Sequence, residues 1–348
     1  MTNLMKAVAV TGIHDVRLID IKKPLPRRNE VLVRIRACAL CTWEQRIFSG
    51  ETNTPYPMVG GHEVAGEISA IGEDVDPAAY PIGARVGVRV VKCCQSCYYC
   101  RRGSENLCVE LNTFRMNGPD VYGMGGLAEY ISVDRSAVWA YPDGIPFETI
   151  SLTEPLACVV NSMEKGHPQL GDDVVIIGGG VMGMLHILCS KLMGTRVILS
   201  EPDPARREFA KRLGCDIVLD PSGTDAVGAV LDLTQGRGAE VVYNTTAIPS
   251  VAAQAIKMTG RFGRCVMYSS QHPDSPVGVS PNWLHSSEAV LTGAVSPSIV
   301  SFDRAVNLLS KGLIDVWPLV CAVFPFEQAY EAFIEATKPD TFRIIVSF

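Results

Sequence analysis

Cys94, Cys97, Cys100 and Cys108 follow a C-x2-C-x2-C-x7-C spacing, and no other stretch constrains the chain as strongly. Four thiolates on one short loop close a tetrahedron around Zn2+ and leave no position for a substrate. Such a loop is expected to fold a lobe and perform no chemistry. Upstream, Gly61-His62-Glu63 sets an imidazole beside a carboxylate. That pair suits a second zinc with an open position, provided other residues add ligands. Cys41 and Glu154 are the candidates, with Cys158 as the rival to Glu154. Two zinc ions per chain are therefore expected: a structural one on the cysteine loop and a catalytic one at Cys41, His62, Glu63 and Glu154.

At 348 residues the chain exceeds the range in which one hydrophobic core keeps growing, which favours two domains. The net charge of -6 comes without any block of like charges, so nothing draws the chain to nucleic acid or an acidic membrane surface. A small-molecule substrate is expected. The N-terminal stretch lacks the apolar core and small-residue cleavage site of a signal peptide, which points to the cytoplasm. The most apolar stretch, Val174 to Met193, is broken by glycines, His186 and Lys191, and reads as strand-turn-helix, not a membrane span. A reducing compartment and the tight cluster at 93–108 favour metal ligation over disulfides. Cys38, Cys189, Cys215, Cys265 and Cys321 read as small core residues, and Cys93 as a bystander.

Residues 4–150 carry short β-rich runs, such as Val31 to Ala37 and Val86 to Val91, between Gly and Pro turns. This reads as an all-β lobe with few helices. From Glu154 onward, apolar runs alternate with helix-length periodic segments: Val174 to Ile177, Gly183 to Met193, Arg196 to Ser200, Pro204 to Leu213, Ile217 to Leu219, Thr224 to Thr234 and Val241 to Tyr243. Repeated βα units predict a doubly wound parallel sheet, continued by Cys265 to Ser269 and Val290 to Gly293. A helix over Phe302 to Lys311 follows. The tail then reads as β-rich, with Phe342 to Phe348 returning to the first lobe.

Val174 to Ile177 leads into Gly178-Gly179-Gly180-Val181-Met182-Gly183 and then a helical pattern, which is G-x-G-x-x-G in its required context. Gly178 permits the tight turn, Gly180 lets the backbone approach a pyrophosphate, and Gly183 lets helix and strand pack closely; Val181 and Met182 open the helix whose N-terminus faces the anion. Glu201 follows at the end of the next strand, where a carboxylate accepts hydrogen bonds from the adenosine ribose diol. That favours NAD over NADP, although Arg206 is a nearby group able to take a phosphate.

With cysteine loop, His-Glu pair and glycine-rich turn in that order, the chain resembles the zinc-dependent medium-chain dehydrogenases, nearest their polyol, sugar and threonine dehydrogenase branch. The resemblance covers nearly the whole length. Gly61-His62-Glu63-Val64-Ala65-Gly66, Gly125-Gly126-Leu127-Ala128-Glu129-Tyr130 and Glu154-Pro155-Leu156 add to it. It implies an α/β protein with a GroES-like β-rich catalytic domain at 1–153 and 295–348 and a Rossmann domain at 154–294, with the active site in the cleft between them. It further implies a homodimer or homotetramer and hydride transfer between nicotinamide and an alcohol or ketone held on zinc. In that branch the residues matching Cys41, His62 and Glu63 bind or closely attend the metal. The acid matching Glu154 is a ligand or holds the zinc-bound water, and Arg343 matches a basic residue near the cofactor.

The family usually continues its first zinc cysteine as C-G-[ST]-D-x-[HK], and the hydroxyl begins a proton relay. This chain has Cys41-Thr42-Trp43-Glu44-Gln45-Arg46. Trp43 stands at the hydroxyl's place, and an indole N-H donates but cannot accept a proton. Ala84 replaces the Asp of G-D-R-V, and Ser296-Pro297-Ser298 lies where relatives carry larger substrate contacts. Trp43 is therefore read either as an apolar wall for a ring-shaped hydroxylated substrate or as packing under the zinc loop. Glu44, Arg46 or Glu154 would handle protons and hydroxyls. The leading function is NAD-dependent oxidation of a secondary alcohol of a sugar, polyol or cyclitol. Alternatives are a reductase or isomerase-like enzyme with tightly held NAD, and a catalytically inactive zinc-stabilised dinucleotide-binding protein.

Overall fold

The computed structural model describes residues 4–52, 54–111, 121–271 and 273–348. Apolar alternation sets the first elements, β1 (Leu4–Gly12) and β2 (Asp15–Lys22), an antiparallel pair. β3 (Glu30–Ala39) is buried along most of its length, and α1 (Thr42–Ser49) follows, capped by Cys41 and ended by Gly50 in the left-handed region. β4 (Glu63–Ile71), β5 (Arg85–Arg89), β6 (Tyr130–Asp134) and β7 (Val138–Ala140) come next. Two helices, α2 (Phe147–Ser151) and α3 (Thr153–Gly166), close this part.

Regular βα alternation then runs β8 (Asp173–Ile177), α4 (Val181–Leu192), β9 (Arg196–Ser200), α5 (Pro204–Arg212), β10 (Ile217–Leu219), α6 (Ala226–Leu233), β11 (Ala239–Asn244), α7 (Pro249–Met258), β12 (Thr259–Met267), α8 (Pro281–Ser287) and β13 (Val290–Gly293). The chain ends with α9 (Ile299–Ser310), β14 (Val320–Pro325), α10 (Ala329–Ala336) and β15 (Arg343–Ser347). Two compact units result, Met1–Pro155 with Ser298–Phe348, and Leu156–Pro297.

In the first unit, a seven-stranded sheet has the order β14-β15-β3-β4-β5-β7, with β6 also on β3. The return of the C-terminus is explicit in the register, where Ile345 pairs with Ala39 and Val346 with Cys38. The tail is not simply β-rich. Ala329, Ala332, Phe333 and Ala336 are buried at helical spacing, which makes α10 an amphipathic helix between its two strands. Cys321 also departs from expectation, lying exposed on β14, where its sulfur accepts the Phe342 N-H.

The second unit has a six-stranded parallel sheet in the order β10-β9-β8-β11-β12-β13. This is the doubly wound dinucleotide-binding order, with the switch point at β8. Among the described residues no helix is long and apolar enough to cross a membrane.

His186 on α4 is fully buried in this unit. Its Nδ1 donates to the Met182 carbonyl at 2.7 Å and its Nε2 accepts from the Ser162 hydroxyl at 2.9 Å, which defines the neutral ring. Burial lowers its pKa to about 4. An unfolded chain takes up this proton near its ordinary value of about 6.5, so the unfolded state binds more protons between the two values. The stabilisation from His186 is complete above about 6.5 and is lost as pH falls through about 4, about 3 kcal/mol in all. Urea unfolding at falling pH should therefore show a shallower loss of stability in His186→Gln than in the wild type. Parallel slopes would contradict the assignment.

Candidate metal centre and cofactor loop

Cys41 is the N-cap of α1, so its sulfur lies at the N-terminal, positive end of a helix. Three residues on, Glu44 turns back and accepts the Cys41 N-H at 3.0 Å with Oε2. Its Oε1 accepts the Gly61 N-H at 2.9 Å and the His62 Nδ1-H at 3.1 Å. Gly60 makes room for this, since a Cβ there would meet Glu44 Cγ at 3.1 Å. Gly61 has φ +87°, and a Cβ would meet Leu127 N at 2.5 Å, so only glycine brings the chain into His62 at this angle. With Nδ1 bonded to Glu44, Nε2 is the ring nitrogen left to face a metal.

Glu63 begins β4 and is fully buried, with both carboxylate oxygens on the Arg343 guanidinium, the Nε bond being 3.0 Å long. One donor atom each from Cys41, His62 and Glu63 lies within 4.8 Å of the others. Burial opposes charge on His62, yet the Glu44 carboxylate and the Cys41 thiol lift its pKa well above the ordinary range. Burial also opposes charge on Glu44, but His62 and the Gly61 N-H hold it below its ordinary value. Glu63 is pushed up to about 7 by burial, against the pull of Arg343 and His62. This thiol, imidazole and carboxylate set, rich in negative charge, fits a zinc with an open position. Glu154, in the first turn of α3, raises the pKa of both Glu63 and Arg343 without joining the three-residue cluster.

The second cluster is Cys94, Cys97, Cys100 and Cys108, again within 4.8 Å of one another. Cys97 and Cys100 sulfurs are 3.5 Å apart and those of Cys94 and Cys100 4.0 Å. Zn-S bonds of about 2.3 Å in a tetrahedron require sulfurs about 3.8 Å apart, so the donor set fits zinc without rearrangement. Backbone N-H groups of Cys97 and Glu110 donate to the Cys94 and Cys108 sulfurs, as suits thiolates.

In the glycine-rich turn, Gly178 has φ +98°, and a Cβ on Gly183 would meet the Gly178 carbonyl at 1.9 Å. A Cβ on Gly180 would meet nothing of the protein within 4 Å, leaving the N-terminus of α4 open beside Val181 and Met182. That open cradle fits a pyrophosphate. Glu201 is buried at the end of β9 and accepts the N-H groups of Gly179 and Asp203. Arg206 lies half-buried in the first turn of α5.

The comparisons agree with this geometry. A profile of the alcohol dehydrogenase GroES-like domain matches residues 27–143, and one of zinc-binding dehydrogenases matches 181–311. L-threonine 3-dehydrogenase of Pyrococcus abyssi is 33% identical over 76% of this chain and 74% of its own length. The chain belongs to the zinc-dependent medium-chain dehydrogenase family. D-arabitol-phosphate dehydrogenase of Enterococcus avium is 27% identical over 99% of this dehydrogenase and 98% of its own chain. Among solved structures, an alcohol dehydrogenase (rspB) of E. coli CFT073 in complex with NADH superposes with a TM-score of 0.89 at 25% identity, over 99% of this chain and 100% of that one. The protein is an alcohol-type dehydrogenase built from a GroES-like and a Rossmann unit.

Three of the expected site residues have partners within this dehydrogenase's own chain. Arg343, expected beside the cofactor, is buried with its guanidinium committed to Glu63. Glu44, expected among the groups that handle protons and hydroxyls, is only 1% exposed and has both oxygens bonded within the chain, to the Cys41 and Gly61 amides and the His62 ring. Arg46 sits at the far end of α1 with Nε 4.0 Å from Glu51 and does not join the cluster. Trp43 sits edge-on to His62, with ring centroids 6.1 Å apart, and also packs on the core. The role of Glu44 was readable as a capping-box glutamate three residues after a cap, whereas Arg343 is 280 positions from Glu63 and gave no local signal.

Metal analysis after dialysis against a chelator checks the two sites. The wild type should keep two zinc ions per chain, and Glu44→Gln should lose the one at His62 with affinity weakened about 10- to 100-fold. Cys100→Ser should lose the other. Equal retention by Glu44→Gln and wild type would contradict the positioning role.

Proposed function

We propose that this dehydrogenase transfers a hydride between NAD(H) and a secondary alcohol or ketone of a sugar, polyol or cyclitol. The observation that carries the reading is the Cys41, His62 and Glu63 cluster with Glu44 and Arg343 behind it. Relatives that act on L-threonine and D-arabitol phosphate support a hydroxylated substrate. Cys41 and His62 would hold zinc, with Glu63 and Glu154 as the oxygen donors of the site. Zinc there supplies Lewis acidity, polarising a carbonyl or lowering the pKa of an alcohol.

The chain's own residues do the rest. Glu44 fixes the His62 tautomer and ring plane. Arg343 neutralises Glu63, so that burying the carboxylate does not leave a lone charge. With Glu44 committed and Trp43 unable to accept, Glu154 is the carboxylate assigned to the substrate proton. Trp43 supplies an apolar wall next to His62, against which the C-H face of a ring can lie. Gly178, Gly180, Val181, Met182 and Gly183 receive the pyrophosphate, and Glu201 turns from Gly179 to the ribose diol, which favours NAD over NADP. Arg206 is the group available for a 2′-phosphate. We place the protein in the cytoplasm, where thiols stay reduced, as a homodimer or homotetramer.

Purified enzyme should form NADH from NAD+ and at least one secondary alcohol of a sugar, polyol or cyclitol panel, and its complete failure on that panel would refute the substrate class. Glu201→Ala should shift the NAD-to-NADP ratio of kcat/KM toward NADP by about tenfold, roughly 1.4 kcal/mol. Trp43→Ser should reorder the alcohol panel. An unchanged substrate profile would remove Trp43 from the pocket.

A further inference from the structure

Among the described residues two arginines are buried, and they are treated very differently. Arg343 is paired through both nitrogens with Glu63. Arg89, at the end of β5, is 6% exposed, its Nε has no hydrogen-bond partner, and its recorded polar contact is from Nη1 to Cys93 Sγ at 4.0 Å. A long contact to sulfur does not compensate a desolvated guanidinium. A cation buried this way is destabilising unless something outside the chain supplies the counter-charge.

The position of Arg89 says where that counter-charge would be. Val86, Val88 and Val90 pack into the core, so strand alternation sends Arg85, Gly87 and Arg89 to the opposite face. On that face a Cβ at Gly87 would lie 3.3 Å from Thr153 Oγ1, one residue before Glu154. Glu63 is the register partner of Arg89 across β4 and β5, so the two side chains leave the same side of the sheet. Glu63 is itself part of the metal cluster. Of the carboxylates near the cluster, Glu44 is paired with His62 and Glu63 with Arg343, and Glu154 acts electrostatically on Glu63 and Arg343. Among the described residues Arg89 forms no ion pair with any of these carboxylates.

We propose that Arg89 binds an oxyanion on the substrate, a carboxylate or a phosphate ester, while the hydroxyl-bearing carbon sits at Cys41, His62 and Glu63. The planar guanidinium fork matches either group in a bidentate fashion, and its rigidity would register the distance from anion to reacting carbon. This inference rests on the dehydrogenase reading above and names a subclass of its substrates, acidic or phosphorylated ones in place of neutral polyols.

Two measurements test it. The first needs no turnover: thermal melting of zinc-loaded wild type, Arg89→Met and Arg89→Lys in sodium chloride, sodium phosphate and sodium acetate at equal ionic strength. Phosphate or acetate should raise the wild-type Tm relative to chloride and leave that of Arg89→Met unmoved, with Arg89→Lys between them. The salt that acts identifies the anion. In chloride, Arg89→Met should melt no lower than the wild type, because it removes an unpaired charge. A lower melting point with no anion shift in the wild type would make Arg89 structural and overturn the proposal. The second measurement is the ratio of kcat/KM for D-arabitol phosphate over D-arabitol and for galactonate over galactitol. One ratio should favour the anion by on the order of a hundredfold and collapse toward unity in Arg89→Met. Ratios equal in the two proteins would overturn the proposal. If no compound is oxidised, the dehydrogenase reading fails on these substrates while the melting comparison still decides the role of Arg89.

Discussion

The Glu44 carboxylate is the interaction on which the metal centre depends. It joins three points of the chain, the Cys41 amide at the start of α1, the Gly61 amide, and the His62 ring. Each bond fixes something the chemistry needs: the position of the thiol, the path into β4, and the nitrogen that faces the metal. Because the carboxylate is desolvated, these bonds are charge-assisted and the loss of one partner strands the others. The glutamate carries one methylene more than the aspartate of the family pattern, and Gly60 leaves the space beside it.

A second buried pair ties the same site to the far end of the chain. Glu63 opens β4 and Arg343 opens β15, and β15 reaches β3 by antiparallel pairing at Ile345, Val346 and Ser347. The C-terminal return is thus coupled to the electrostatics of the site. The four-cysteine loop serves a different purpose. Its four sulfurs lie within 4.8 Å of one another, the spacing of a closed tetrahedral zinc site that would leave no position open.

Much of this was legible in the sequence because the signals were local. The cysteine spacing, the His-Glu pair and the glycine turn each occupy a few consecutive residues, and the βα alternation repeats often enough to imply a doubly wound parallel sheet. What escaped reading was set by tertiary contact. The pairing of Arg343 with Glu63 had no local signal, and Arg89 passed as an ordinary strand residue because nothing in β5 shows that its side of the sheet is buried. The helix α10 was missed because alanines at helical spacing give a weak pattern beside the two β-rich strands that flank it.

The central claim is that one chain holds two chemically different zinc sites, one closed by sulfur and one kept electrophilic by nitrogen and oxygen. X-ray absorption at the zinc edge of the fully loaded protein tests it most directly. Averaging a four-sulfur site with a site of one sulfur and three nitrogen or oxygen donors predicts about 2.5 sulfurs per zinc. A value near four would mean that only the cysteine loop binds zinc and would contradict the account.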